Sequence, residues 1–173
     1  FRLEQARTFV WGQQPCLSNF RPEHLVERET DLAYVRRLVQ LRQAALPYLL
    51  HGTFLRPPHM SIPDMEIDMS RLSIYAGQQG AVHEYRRRAP QYLAGAWRAA
   101  DGSIAVAVAN ISDMDQKIRF TLTLAEHGLP DRGRVYKRCP DGRTPMGLFE
   151  HEQAAIDDTL GAASAVIYEF AAN

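Results

Sequence analysis

Residues 92–124 alternate hydrophobic and polar positions in a way that predicts three consecutive antiparallel strands. In the last of them, polar residues separate four apolar ones: Ile118, Phe120, Leu122 and Leu124. A period of two is typical of a strand with one face in a core and the other in water. Asp101-Gly102 lies between the first two strands and supplies the positive φ angles of a tight hairpin turn.

Further strand-like segments, separated by Gly, Pro, Asp or Asn, extend this pattern along the chain. They are residues 72–75, 82–88, 133–138, 146–149 and 164–170. With the three central strands, the total is about seven or eight short strands, which is typical of an antiparallel sandwich. The predicted fold class is mainly β: an antiparallel β-sandwich preceded by an N-terminal strand and an amphipathic helix.

The first 52 residues follow a different pattern. The apolar, β-prone run from Thr8 to Trp11 precedes the breaker sequence Gly12-Gln13-Gln14-Pro15 and predicts a strand buried on both faces. Apolar residues at helical spacing between Thr30 and Leu50 predict an amphipathic helix, which Pro47 ends or kinks. A strand followed by such a helix is the repeating unit of an α/β barrel or doubly wound sheet.

These patterns divide the chain into three parts. Residues 1–52 are predicted to be the terminal βα unit of a barrel-like domain, residues 53–69 a linker with three prolines, and residues 70–173 a C-terminal β-sandwich domain. A lone βα unit has lost most of its neighbours, so its apolar surface must be covered. We therefore expect residues 1–50 to dock on the sandwich or to form a homodimer with a second copy of the chain.

The charge balance bears on possible partners. The chain has 20 basic and 20 acidic residues, so no surplus of positive charge favours nucleic acid or an anionic membrane. The basic cluster Arg86-Arg87-Arg88 would point alternate side chains to opposite faces of a strand. No apolar run approaches the roughly 20 residues that span a bilayer. We expect neither a nucleic-acid partner nor a membrane partner.

Motifs of common catalytic mechanisms are missing from the sequence. It contains no nucleophile elbow, phosphate-binding glycine loop or dinucleotide fingerprint, so we expect no cofactor. His151-Glu152 begins like a zinc-protease motif, but Ala155 stands where the second histidine is required. Cys16 and Cys139 are too few for a disulfide framework or a zinc site, and we expect no metal.

Three other features have alternative interpretations. Asp64, Glu66 and Asp68 are either site carboxylates or calcium ligands, or, as we favour, the solvated face of a linker or edge strand. Asp157-Asp158 is interpreted as a turn. Trp97 either forms an exposed platform for a sugar or, as we favour, lies in the core of a central strand.

Four segments carry a resemblance to a known family: FVWGQQPCLSNF, LRQAALPYLLHGTFLRPP, AWRAADGSIAVAVANISDMDQKIRFTL and SAVIYEF. Together they resemble the C-terminal end of bacterial glycoside-hydrolase-like proteins, in which a (β/α)8 catalytic barrel is followed by an antiparallel β-sandwich. The resemblance covers essentially the whole chain. It implies that residues 1–52 correspond to the last barrel strand and helix. It also implies that the catalytic carboxylates come from earlier strands, outside this sequence.

The resemblance also implies a function. Active sites of such barrels lie at the C-terminal ends of the strands, the position that it assigns to Trp11, Gln13 and Gln14 as substrate-binding residues. The chain would then be a non-catalytic accessory part that supports the barrel of a carbohydrate-active enzyme. The alternatives are a structural or interaction domain without ligand, or a free-standing carbohydrate-binding module. The aromatic residues considered for such a module are Trp97, Tyr75 and Tyr85.

The chain begins at Phe1 without a methionine. We expect that a signal sequence or a large N-terminal portion is missing from it. Localisation is left open between the bacterial cytoplasm and secretion, and the absence of a long apolar run leads us to expect a soluble protein.

Overall fold

A computed structural model describes residues 1–17, 20–72 and 82–172. The helices within these residues are α1 (Arg2–Val10), α2 (His24–Glu27), α3 (Glu29–Ala44) and α4 (Leu46–Leu49). The predicted amphipathic helix is confirmed as α3 and α4. Pro47 lies in the first turn of α4, where its missing N–H leaves no helical hydrogen bond unmade, so the predicted break is confirmed as well.

The strands of the described residues form one large sheet and one small one. They are β1 (Thr53–Leu55), β2 (Asp64–Leu72), β3 (Val82–Pro90), β4 (Tyr92–Arg98), β5 (Ile104–Asn110), β6 (Gln116–Thr123), β7 (Arg132–Cys139), β8 (Gly142–Glu150), β9 (Gln153–Leu160) and β10 (Ala165–Ala172). Eight of them form an antiparallel sheet in the order β1-β4-β5-β10-β7-β8-β9-β6, while β2 and β3 pair as a separate hairpin. The large sheet curls, so the predicted mainly β, sandwich-like fold is confirmed.

The N-terminal strand predicted from Thr8 to Trp11 is wrong, because these residues form the end of α1 and its cap. The residues that α1 buries recur at helical spacing: Leu3, Ala6, Phe9 and Val10. The helix ends in a Schellman motif, in which Gly12 N–H donates to Phe9 O at 3.0 Å and Gln13 N–H donates to Thr8 O at 2.9 Å. The apolar run therefore packs a helix onto the sheet.

The large sheet separates two hydrophobic cores. On β5, small and branched residues alternate: Ala105, Ala107 and Ala109 belong to the helix-side core, and Ile104, Val106 and Val108 belong to the inner core, inside the curl. The alanines allow a close approach of the helices. A Cβ atom added at Gly95 on β4 would lie 2.2 Å from Val10 O, so α1 touches the sheet backbone there.

The helices of residues 1–50 dock on the sheet, which is the first of the two arrangements expected for them. Helix α1 lies against β4 and β5, and α3 lies against β10. Polar contacts add to this packing, because Arg37 Nη1 donates to Ala163 O at 3.2 Å and Arg2 Nη1 contacts Asp113 Oδ1 at 2.6 Å. The division of the chain at residues 52 and 69 stays a prediction, and the segment between them contains β1 and the start of β2.

Some strand assignments need correction. The sequence analysis missed β1 and β9, and the turn predicted at Asp157-Asp158 is wrong because both residues lie within β9. Asp158 occupies a partly buried position of that strand, where an apolar residue would have completed the alternation. Of the strand predicted at residues 72–75, only Leu72 lies within the described residues.

The hairpin turn between β4 and β5 is confirmed, with one difference. Only Gly102 of the Asp101-Gly102 pair has a positive φ among the described residues of this turn, at +83°. Asp101 instead stabilises the turn with its side chain, since Oδ1 accepts from Ser103 N–H at 2.9 Å and from Ser103 Oγ at 2.5 Å.

Candidate functional site

The three predicted substrate-binding residues lie in the loop that follows α1, which we call the WGQQ loop (residues 11–14). The loop follows a helix, and not a strand as predicted. Trp11 is 50% exposed, and the side chains of Gln13 and Gln14 are exposed as well. The structure therefore keeps all three side chains together at the surface.

The backbone of the WGQQ loop is held by side chains from distant parts of the chain. Trp97 on β4 donates its indole N–H to Val10 O at 3.0 Å, in the buried layer between α1 and the sheet. Arg42 near the end of α3 donates Nε to Gln13 O at 3.2 Å and Nη2 to Gly12 O at 3.3 Å. Three backbone carbonyls of this region, those of Val10, Gly12 and Gln13, are thus held by the sheet and by α3.

Gly12 makes this arrangement possible. It has a φ of +67°, a left-handed conformation that residues with a Cβ rarely adopt. A Cβ at this position would also lie 2.4 Å from Leu49 O and 2.8 Å from Trp97 Cη2. The loop therefore needs glycine both for its conformation and for the space between α4 and β4.

The exposed side chains of the WGQQ loop suit a hydroxyl-rich, uncharged ligand. The indole of Trp11 offers an apolar face, and the guanidinium of Arg7 lies 5.6 Å from its ring centroid. A cation-π contact of this kind contributes about 0.5–1 kcal/mol at an exposed site and orients the ring. Each glutamine amide offers hydrogen-bond donors and an acceptor. The loop itself supplies no carboxylate or nucleophile.

The aromatic residues considered for a carbohydrate-binding module differ in exposure. Trp97 is only 8% exposed and belongs to the helix-side core, so the favoured core interpretation is confirmed. Phe54 packs edge-on against it, with ring centroids 4.9 Å apart. Tyr85 on β3 is 41% exposed, and Tyr75 lies outside the described residues.

The carboxylates of β2 lie on a solvated face, as favoured. Asp64, Glu66 and Asp68 are exposed, and Asp68 Oδ1 pairs with Arg86 Nε at 3.0 Å across the hairpin. Met65 and Ile67, on the opposite face of β2, pack against the helix-side core. In residues 1–17, 20–72 and 82–172, no group of three or more His, Cys, Asp or Glu side chains is arranged to hold a metal ion.

A groove that the sequence analysis missed has a volume of about 810 Å³. The segment after β1 and the end of β6 form its walls, with Leu93 and Ala94 between them. Its lining is mixed, with apolar Leu55, Met60 and Ile62 and polar His59, Glu126 and His127. Glu126 is the single carboxylate among the described lining residues, whereas glycoside hydrolysis needs a pair. Nothing in the local sequence indicated that β1 and β6 would lie close together.

An exposed apolar surface on the helical layer, which we call the α2/α3 apolar face, was also missed. It is lined by Leu17, Phe20, Leu25, Leu32, Val35 and Val39, with Arg36 and Gln40 beside them. Leu32 and Val35 are themselves buried, Val39 is half-buried, and the other three apolar residues are exposed. Phe20 is 45% exposed and Leu25 is 50% exposed. Contiguous apolar surface of this kind marks interaction sites in soluble proteins. Half of these residues precede the predicted helix, so its periodicity did not include them.

None of the helices within the described ranges is long and apolar enough to cross a membrane.

Comparison with known proteins gives similarity to solved structures alone. No protein-family model matches the chain, and no curated protein matches it either. The solved structures to which the chain is similar include glycoside hydrolases. One is a glycoside hydrolase that is 10% identical to this chain, with a TM-score of 0.42. The similarity covers 80% of this chain and 25% of that protein.

Two further similar structures have named activities. A GH51 α-L-arabinofuranosidase from Thermotoga petrophila is 16% identical with a TM-score of 0.34, over 64% of this chain and 24% of its own. A GH27 β-L-arabinopyranosidase from Geobacillus stearothermophilus is 20% identical with a TM-score of 0.33, over 47% of this chain and 17% of its own. The chain spans a quarter or less of the length of each of these three proteins.

Proposed function

We propose that this chain is the C-terminal, non-catalytic accessory part of a bacterial carbohydrate-active glycoside hydrolase. Its curled sheet supports a catalytic (β/α)8 barrel that belongs to the same, longer protein. The carbohydrate ligand is bound by that protein as a whole, with Trp11, Gln13 and Gln14 at the edge of the substrate site. The helices of residues 1–52 belong to the end of the barrel, residues 53–69 connect the two parts, and residues 70–173 form the accessory domain.

The α2/α3 apolar face carries this proposal. The chain already has two cores, and the buried side of α3 contributes Tyr34, Leu38 and Leu41 to one of them. On its other side, Leu32 and Val35 are buried within the chain, whereas Phe20 and Leu25 remain 45% and 50% exposed. Covering them with a neighbouring barrel helix would stabilise the protein by about 25 cal/mol for each Å² removed from water. The sequence resemblance assigns residues 1–52 to the last strand and helix of a barrel, and α3 is the helix of that assignment.

The first test is the mass of the protein as the source cell makes it, measured by immunoblot with an antibody against the β-sandwich. We expect a band several tens of kilodaltons above the 19.6 kDa of this chain. Such a band would justify a search for the catalytic carboxylates in the upstream sequence. A band at 19.6 kDa would contradict the proposal, and glycan-array binding would then test the carbohydrate-binding module.

A second test uses enzymatic activity of the longer protein. Deleting residues 70–173 is expected to remove support from the barrel, so that activity is lost together with thermal stability. A barrel that keeps its activity and its melting temperature without these residues would contradict a supporting role.

A homodimer through residues 1–50 is the second candidate, and the same apolar face favours it. A second copy of the chain would cover Phe20 and Leu25 with their own equivalents, as in a two-fold symmetric interface. The near-zero net charge offers little repulsion between copies. Sedimentation of the 173-residue chain distinguishes the candidates, because a homodimer has twice the monomer mass.

A further inference from the structure

The backbone of the WGQQ loop is fixed more thoroughly than the end of a helix requires. The Schellman motif at Gly12 satisfies the carbonyls of Thr8 and Phe9 in the last turn of α1, but not that of Val10. Arg42 and Trp97 add three hydrogen bonds to the carbonyls of Val10, Gly12 and Gln13, and they come from α3 and from β4. These contacts link residues that are 29 to 87 positions apart in the chain.

The side chains of the same loop are left in water. Trp11 is 50% exposed, although a large apolar side chain is more stable when buried. A loop that only ended α1 would need a partner for Val10 O, but neither an exposed tryptophan nor the two hydrogen bonds from Arg42. A fixed backbone with exposed side chains is, however, what a pre-organised binding site needs, because the ligand then does not have to order the loop.

We propose that Arg42 and Trp97 are positioning residues, which hold the WGQQ loop in the conformation that presents Trp11, Gln13 and Gln14 to a neutral sugar ring. The ligand class follows from the loop: the indole matches the C–H face of a sugar ring, and two uncharged amides match its hydroxyls. This ligand assignment rests on the proposed function. The positioning role rests on the hydrogen bonds and is tested separately.

The division of roles between the two residues is specific. Trp97 acts on the last helical carbonyl, that of Val10, and its ring also contacts the space that a Cβ of Gly12 would fill. Arg42 donates to the carbonyls of Gly12 and Gln13 and spans them with two nitrogen atoms of one guanidinium. Lysine has a single nitrogen and does not reproduce this two-point contact. The accessory sheet thereby influences the geometry of the sugar-binding loop.

The test uses the two indole N–H resonances of the chain, which contains two tryptophans. The NMR relaxation of the Trp11 indole reports the order of the loop, and the Trp97 resonance reports the intact core. We expect Arg42→Met to lower the Trp11 order parameter while the Trp97 resonance of a folded core remains. Arg42→Lys is expected to give an intermediate value.

Arg37→Met is the matched control. Arg37 also lies on α3 and also donates to a backbone carbonyl, that of Ala163, which is remote from the loop. This variant is expected to leave the order of Trp11 unchanged. Equal Trp11 order in Arg42→Met, Arg37→Met and the unchanged protein would overturn the positioning role of Arg42.

Trp97→Phe tests the second residue, because it keeps an aromatic ring in the core and removes the donor to Val10 O. With this substitution the chain has one indole resonance, from Trp11, and we expect its order parameter to fall. An unchanged order parameter would overturn the role of Trp97. The backbone amide spectrum of the strands shows whether the variant is folded.

Titration with methyl β-D-galactopyranoside and methyl β-D-glucopyranoside tests the ligand class. A sugar-induced shift of the Trp11 indole that weakens at least fivefold in Arg42→Met, but not in Arg37→Met, would support the full proposal. If the sugars leave Trp11 unaffected while Arg42→Met still loosens the loop, the positioning role stands and the sugar assignment falls.

Discussion

Glu169 illustrates how single residues of this chain depend on distant partners. It lies on β10 with 1% exposure, on the helix-facing side of the sheet. Its carboxylate contacts Arg138 of β7 and also pairs with Arg143 of β8, whose Nε lies 2.6 Å from Glu169 Oε2. The guanidinium of Arg143 also covers the ring of Tyr136 at 3.5 Å. A buried carboxylate paired in this way has a structural role.

We predict that Glu169→Gln lowers the free energy of unfolding by about 2 kcal/mol, because the partly exposed Arg138 and Arg143 lose the buried carboxylate that both contact. Urea unfolding of both proteins measures the difference. Asp157→Asn is the matched control: its pair with Arg119 is exposed, and the expected loss is about 0.5 kcal/mol or less. Equal losses in the two variants would contradict the prediction.

Gly12 gives a second prediction about a single residue. Gly12→Ala is expected to lower the free energy of unfolding by about 2 kcal/mol or more, because the left-handed backbone is strained and the Cβ lies too close to Leu49 O. Thermal unfolding of both proteins measures this loss of stability. Gly102→Ala is the control with a positive φ but open space, and about 1 kcal/mol is expected there.

Asp158 makes stability depend on pH. Burial opposes its ionisation, but hydrogen bonds from Lys137, the Thr159 N–H and Tyr168 outweigh burial and lower the pKa of the carboxyl group. Because the pKa is lower in the folded state than in the unfolded one, the stabilisation is present above about pH 4 and is lost as the pH falls through the folded pKa.

The corresponding prediction concerns the acid limb of the stability profile. Asp158→Asn is expected to flatten the fall in unfolding free energy between about pH 4 and pH 2, since the lowered pKa is removed. Denaturant unfolding at a series of pH values measures it. An acid limb as steep as that of the unchanged protein would assign the pH dependence to other carboxylates.

Among the secondary-structure elements, α1 shows where local sequence is ambiguous. A short apolar run is compatible with a buried strand or with a buried helical segment. The continuous apolar, β-prone run from Thr8 to Trp11, followed by a breaker sequence, predicts a strand. The wider spacing of Leu3, Ala6 and Phe9, together with Gly12 in the C′ position, matches the helix, and packing on β4 and β5 decided it.

Strand β5 carries a prediction about an element. Ala107 is fully buried between the sheet and the helices, so Ala107→Leu is expected to separate them and to lower the free energy of unfolding by about 1–3 kcal/mol. Chemical unfolding measures the loss. Ala155→Leu, at an exposed position of β9, is the control and should have an effect within about 0.5 kcal/mol.

For the molecule as a whole, we propose that the α2/α3 apolar face governs association. We predict that Leu25→Glu reduces binding to the barrel or to a second copy, because a charge in a dry interface loses its hydration. Sedimentation of the chain, alone and with the separately made barrel, measures both. Val26→Glu is the neighbouring control, since Val26 is 81% exposed and does not line the apolar face. Equal effects of the two variants would place the interface elsewhere.

The sequence by itself determined the features that local periodicity encodes. The alternation in β6, the hairpin turn before β5, the amphipathic pattern of α3 and the break at Pro47 each involve neighbouring residues, and each is found in the structure. The core position of Trp97 followed from its place in a central strand. Even the solvated carboxylates of β2 could be predicted, because charged residues on one strand face indicate exposure to water.

Tertiary structure alone decided how these elements meet. The order of the strands brings β10 beside β5 and β7, gives Glu169 its two arginines and gives the WGQQ loop its contacts with Arg42 and Trp97. Packing on β4 and β5 also decided that residues 2–10 form a helix, and the tertiary structure leaves part of the α2/α3 apolar face exposed. Such contacts join residues far apart in the chain, and their stability depends on packing that no short window of sequence contains.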